Sequence, residues 1–442
     1  MHYARSLKKP ANMTANELAQ LFVLLLGFIE TTRHKKEDYS KLDAILDENQ
    51  LSTVELYEKL APDCNELLVR CVWKGTLTRC DMLFQTINSS MGVCCSFNYY
   101  GTEQNTYSAK VAHTIPKKPR RVTASGYLTG LTVLLNPIPD DYFASFLSGY
   151  GFLIFINSAY DYPGLNAEAK LVSSKTENFI SITPEATYST PDVLQLTPRE
   201  RDCLFPTEKK MEVMKFYSYI NCLAECRSRL FFEICGCVPL GFTNNATFPP
   251  CRMEALDCVT ENKSIFTLVL LISFRDHIAH SYANYIVDKI FLNTELITGA
   301  LPGFNKTAIP NKRTAKYLCG CLPDCKLNQY PPEIATGILD REFAYNSKNL
   351  FKNVKIKDEI IVHVYFNDLI STRHRKDIYQ TWVSLLASFG GLLGLIIGFS
   401  LVAAFELGYY LILRPLFEHF SAVIARRRSK IKTEEFTRAD KF

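Results

Sequence analysis

With 442 residues, a formal charge of only +5 and a mean hydropathy near zero, the chain has no strong basic excess to support a nucleic-acid binder. Its length allows one large domain or two to three smaller ones. There is no Gly-rich phosphate loop, HExxH pair or nucleophile elbow, and His277 and His280 read as ordinary loop residues, so nothing recommends an enzyme.

Along the chain, LAQLFVLLLGFI (18–29) is too short to cross a bilayer and suits a buried helix. Lys8 and Lys9 precede it as in a signal peptide, but no small-residue cleavage site follows. A charged helical segment is expected over 39–60. YLTGLTVLLN (127–136) and GFLIFIN (151–157) read as strands ending at Asn turns. SITPEATYSTPDVLQLTP (181–198) reads as short extended pieces punctuated by proline. Residues 209–237 have helical spacing, which sets Cys222 and Cys226 on one helix face. KDEIIVHVYFND (357–368) is expected to be a last strand leading straight into the apolar run that follows.

That run is the strongest single signal. From Ile378 to Phe405 there are 28 residues without a charge, and a span needs about 20 apolar residues, so 378–413 is expected to be one transmembrane helix. Trp382 and the pair Tyr409 and Tyr410 stand toward its two ends, as interfacial rings do. Inside it, Gly390, Gly394 and Gly398 make two overlapping GxxxG motifs, a pattern of close helix packing. Glu406 is the one charge before Arg414; it is either functional or snorkels to the interface.

Ten of the 15 cysteines fall between Cys203 and Cys325. Their spacings have no matching CxxC repeat and no histidine partners, which disfavours zinc. Five N-x-[ST] sequons (Asn12, Asn88, Asn245, Asn262 and Asn305) lie on the same side of the apolar run. Cysteines and sequons together indicate an oxidising, extracellular compartment. Residues 1–377 are therefore expected outside the plasma membrane and 414–442 in the cytoplasm, although RRRSKIK (426–432) alone tips the basic balance only slightly.

In order, CVWKGTLTRCDMLF (71–84), GVCCSFN (92–98), GFLIFINSAYDYPG (151–164), RDCLFPTEK (201–209), YINCLAEC (219–226), CGCVP (235–239), CGCLPDCKLNQY (319–330) and LLASFGGLLGLIIGFSLVAAFELGYY (385–410) resemble the degenerin/epithelial sodium channel superfamily, most closely its insect pickpocket branch. The resemblance implies an α+β membrane protein: a disulfide-rich ectodomain with a central β-sheet (palm), finger regions and a helical thumb near 199–330, plus a C-terminal transmembrane helix. It implies a subunit of a sodium-permeable, amiloride-sensitive cation channel, gated by ligand or force, that works as a homo- or heterotrimer with related subunits in the lipid bilayer. No cofactor is implied beyond the permeant sodium ion. The selectivity filter would be Gly398, Phe399 and Ser400, interrupting the pore helix. The constriction would be Ala387, Ser388 and Gly391, with Ala387 at the degenerin gating position. Gly390 and Gly394 would be packing positions and Glu406 an inner ring of charge. The family's cysteine ladder implies the pairs Cys203–Cys325, Cys222–Cys321, Cys226–Cys319, Cys235–Cys258, Cys237–Cys251 and Cys71–Cys80.

Three features depart from that pattern. The family's first span is not matched, and the odd cysteine count leaves Cys64, Cys94 and Cys95 open, both as expected of an incomplete chain. Between Cys258 and Cys319 lie 60 residues, a long spacer that includes the apolar IFTLVLLISF. Phe399 is larger than the small residue that many members carry. Taken alone, one visible span formally favours a single-pass, disulfide-rich receptor or adhesion protein without a pore. Four glycines and a terminal serine in the apolar run argue for the channel.

Overall fold

Two Ser/Thr-x-x-Glu boxes, at Thr14 and Ser52, open two eight-residue helices in the first 60 residues of the protein. The structure, a computed structural model, describes residues 2–29, 35–102, 116, 118–145, 147, 149–164, 167–242, 248–262, 319–339, 354, 357–398 and 400–439. It divides into two units, 1–376 and 377–442.

In the first unit, the Thr14 hydroxyl accepts from the Glu17 N–H and the Glu17 carboxylate accepts from the Thr14 N–H, which opens α1 (Ala15–Phe22). A 3₁₀ turn, Val23–Phe28, continues it, so 18–29 is a buried helical stretch. The charged segment expected over 39–60 is two helices, α2 (Lys36–Glu48) and α3 (Thr53–Leu60). They separate because Gln50 takes a left-handed φ of 54° and Ser52 and Glu55 form the second box. The helical reading of 209–237 holds only for α4 (Tyr219–Cys235). Upstream, the buried Glu225 carboxylate accepts from the N–H groups of Glu212, Val213 and Met214 at 2.8 to 3.1 Å, holding that backbone outside the helix. A short α5 (Leu256–Glu261) follows. Leu18, Phe22, Leu42, Leu56, Phe231 and Leu256 bury one another in a common core. The approach is close enough that a Cβ on Gly27 would lie 2.6 Å from the Leu256 side chain.

The strands are β1 (Leu68–Trp73), β2 (Thr76–Thr78), β3 (Phe84–Ser89), β4 (Gly92–Phe97), β5 (Leu131–Leu135), β6 (Gly151–Ile156), β7 (Glu168–Ser173), β8 (Thr176–Ile182), β9 (Glu185–Ser189), β10 (Leu327–Gln329), β11 (Pro332–Ile338), β12 (Ile360–Phe366) and β13 (Thr372–Lys376). Six of them form one sheet in the order β11-β8-β12-β5-β1-β2. Its central strands β5 and β12 are near-continuous β-branched and leucine runs, as strands covered on both faces should be. Leu131, Val133, Ile180, Ile360 and Val362 form its core. β12 runs parallel to β8 and antiparallel to β5. It does not lead straight out of the unit: β13 intervenes, joining β9 and β10 in a second sheet of three strands. β3–β4 and β6–β7 are separate hairpins.

The second unit is helical. α6 spans Trp382–Ile397, α7 spans Leu401–Gly408, a π-helical turn covers Tyr409–Leu413, and α8 spans Arg414–Ala439. The single transmembrane helix expected over 378–413 is therefore interrupted. Among the described residues no helix is long and apolar enough to cross a membrane, because the chain leaves the helix at Gly398 and re-enters it after Ser400.

Candidate functional site

The interruption is built by its two flanking residues. Gly398 sits at φ +64°, the left-handed conformation that closes helices and that a Cβ disfavours. Ser400 is extended (φ −109°, ψ 164°), and its hydroxyl accepts from the Ala403 N–H at 3.2 Å, the geometry of an N-cap. One residue stops a helix and the other starts the next. The last carbonyls of α6 consequently have no partner within their own helix and carry the partial negative charge of a helix C-terminus toward the break. Phe399 lies outside the described residues.

Upstream, Ala387, Gly390, Gly391 and Gly394 fall within one stripe of α6, since positions three, four and seven apart share a helix face. The Ser388 hydroxyl donates to the Ser384 carbonyl at 2.9 Å. A Cβ added at Gly390, Gly391 or Gly398 would meet no atom within 4 Å. Glu406 lies on α7, exposed and past the break. Tyr409 and Tyr410 stand edge to face at 5.4 Å, and Arg414 pairs with Glu418 at 3.0 Å where α8 begins.

In the first unit, each of the six cysteine pairs named from the resemblance is joined, and Cys64 is joined to Cys95. Cys94 is the free thiol among the described cysteines; burial pushes its pKa up. α4 supplies Cys222 and Cys226 one turn apart. Their partners Cys321 and Cys319 lie on an irregular segment that turns at Gly320 (φ +57°), outside any strand. That segment is held at several other points. The Tyr217 hydroxyl donates to the Leu322 carbonyl at 2.6 Å and accepts from the Leu322 N–H at 2.9 Å. Cys203 bonds to Cys325, and Leu204 exchanges backbone hydrogen bonds with Pro323 and Cys325. The Asn88 and Asn262 side chains are half-buried, and Asn262 donates to the Cys258 carbonyl at 2.9 Å. Asn245 and Asn305 lie outside the described residues.

Two buried polar groupings were not singled out from the sequence. The Asp324 carboxylate accepts from the Tyr219 N–H at 3.2 Å. Burial pushes its pKa up to about 7, and the nearby Asp161 acts in the same direction while Lys376 opposes. On β12, His363 faces Thr132 Oγ1 at 2.8 Å through Nδ1 and Glu177 Oε1 at 3.0 Å through Nε2, and it stacks on Phe179 at 4.5 Å. Burial lowers its pKa while Glu177 raises it. An aspartate inside CGCLPDC was a readable signal for the first. The second depends on strand register.

Residues 3–410 match the family model for the amiloride-sensitive sodium channel. The sodium channel protein Nach of Drosophila melanogaster is 25% identical over 441 residues, covering 98% of this chain and 72% of that protein. Pickpocket protein 11 of the same organism is 24% identical over 385 residues, covering 86% and 60%. Acid-sensing ion channel 1 of Gallus gallus is 22% identical over 427 residues, covering 90% and 67%.

Proposed function

Because the chain belongs to the amiloride-sensitive sodium channel family, whose members are membrane cation channels and not enzymes, we propose that it is a subunit of a sodium-permeable, amiloride-blocked channel gated by ligand or force. The observation that carries the reading is the helix stop at Gly398 followed by the helix start at Ser400. Irregular backbone at membrane depth is tolerated only where it faces protein or water. A plain membrane anchor gains nothing from such a break. A pore does, because freed carbonyls can replace the hydration shell of an ion.

In this reading α6, with 16 residues, and α7, with 8, cross the bilayer together. At about 1.5 Å per residue they supply roughly 24 and 12 Å, enough for a core of about 30 Å. Three copies converge on the stripe of Ala387, Gly390, Gly391 and Gly394, where the lack of side chains lets backbones approach. Ala387, Ser388 and Gly391 line the outer constriction, and Gly398 to Ser400 form the filter. Glu406 provides an inner ring of negative charge that concentrates cations. Residues 1–377, with their disulfides, face the outside of the plasma membrane, and 414–442 lie in the cytoplasm. The reading calls for no cofactor beyond the permeant sodium ion.

The test is expression of the full chain in oocytes, alone and with related subunits, carrying Ala387→Val to crowd the constriction and hold it open. A standing inward current is expected that disappears when sodium is replaced by N-methylglucamine and that amiloride blocks. Surface-expressed protein without current in every combination would overturn the pore reading.

A further inference from the structure

We propose that Cys222–Cys321 is a thiol-exchange site, opened by a small thiol and activated by Lys209. The Lys209 ammonium lies 3.4 Å from Cys222 Sγ. It is half-buried and stands over the Tyr217 ring at 5.8 Å, which fixes it against the cystine rather than leaving it free in solvent. Arg229 and Glu225 are the other charges acting on it, with opposite signs. The two sulfurs are not equivalent. Cys222 is 3% exposed, whereas Cys321 is half-exposed on the irregular segment after Gly320.

These positions set the direction of exchange. An incoming thiolate reaches Cys321 Sγ and forms a mixed disulfide there. The Cys222–Cys321 bond breaks, and its electron pair leaves on Cys222 as a thiolate beside the Lys209 ammonium. A neighbouring cation lowers the pKa of a thiol, and a leaving thiol of lower pKa departs faster. A second thiol then attacks the sulfur contributed by the reductant, which releases Cys321 and the oxidised reductant. Two thiols are consumed, one disulfide of the reductant is formed, and both cysteines end as thiols. The opened pair stays in register, because Tyr217 still grips Leu322 and Cys203 still bonds Cys325. Exchange is therefore reversible without loss of the fold.

Cys235–Cys258 is half-exposed, no lysine is hydrogen-bonded to either of its sulfurs among the described residues, and it serves as the internal reference. The full chain is treated in detergent with limiting dithiothreitol, quenched with iodoacetamide at intervals, and mapped by peptide mass spectrometry. Lys209→Met is expected to slow labelling of Cys222 and Cys321 by about fivefold relative to Cys235 and Cys258, while Lys209→Arg keeps most of the rate. Lys209→Gln replaces the methionine variant if that one does not fold. An unchanged ratio of the two rates in the uncharged variant would overturn the proposal. So would wild-type labelling of Cys222 and Cys321 only together with the fully buried pair Cys203 and Cys325.

Discussion

Replacing Gly398 by alanine isolates the conformational part of the proposed filter. The new Cβ meets nothing within 4 Å, so no steric clash enters. What remains is the left-handed φ of +64°, which an L-residue resists by roughly 1–2 kcal/mol. The competing state is the one in which residue 398 turns right-handed and α6 runs on into α7, drawing its last carbonyls back into helical hydrogen bonds. A bias of about 1–2 kcal/mol multiplies the ratio of fused to broken helix by about 5 to 30. Gly398→Ala should then lower single-channel conductance and shift the sodium-to-potassium permeability ratio, read as a reversal potential under bi-ionic conditions. Gly398→Asn should behave more like the wild type, since asparagine enters the left-handed region more readily than alanine. If alanine at 398 leaves both conductance and permeability ratio unchanged, or if asparagine is worse than alanine, backbone conformation at this residue does not define the ion path.

Two further outcomes follow from local chemistry. Ser400→Ala removes the cap on Ala403 and should destabilise the start of α7 by about 1 kcal/mol, with Ser400→Thr largely restoring current amplitude and open-channel noise. Asp324 has a folded pKa of about 7, above its ordinary 3.8, so the folded protein holds a proton that the unfolded chain has released. Its contribution is full below the ordinary value, declines as pH rises from about 4 to 7, and is flat above that. A shift of this size is worth at most about 4 kcal/mol, and roughly half that for a carboxyl retaining some access to water. Thermal unfolding of the purified chain from pH 4 to 8 should show Asp324→Asn flattening part of the decline, to which Asp161 and Asp43, whose pKa values burial also raises, contribute in the same direction. A slope equal to the wild type would refute the assignment.

What could be read in advance divides by how local the cause is. Period alone sets Cys222 and Cys226 on one helix face, and both lie one turn apart on α4. Their partners stand 99 and 93 residues away, a distance at which spacing is silent and only the ordered resemblance spoke. The non-helical backbone before Tyr219 has no local signal because its cause is Glu225, a residue inside the helix that captures N–H groups from an earlier segment. His363 meets Thr132 only because β12 and β5 take one register, and nothing in IIVHVYF announces that partner. The segment 39–60 reads as one helical stretch, yet the signal for its division is local, since Ser52 and Glu55 have the capping-box spacing.

The break at Gly398 falls between these cases. Its glycine and serine are visible, but GxxxG spacing favours an uninterrupted packing helix by the same residues. The difference between the two outcomes is about 1–2 kcal/mol of backbone preference at a single φ. A hydropathy count sees only the apolar content, which is why 378–413 reads as one span although neither of its two helices would cross a bilayer alone. A segment that must both be apolar and expose carbonyls to an ion has to be written this way. In the proposed channel, the side chains satisfy the lipid and the neighbouring helices, while one left-handed glycine and one capping hydroxyl, neither of them charged, set aside the backbone for the ion.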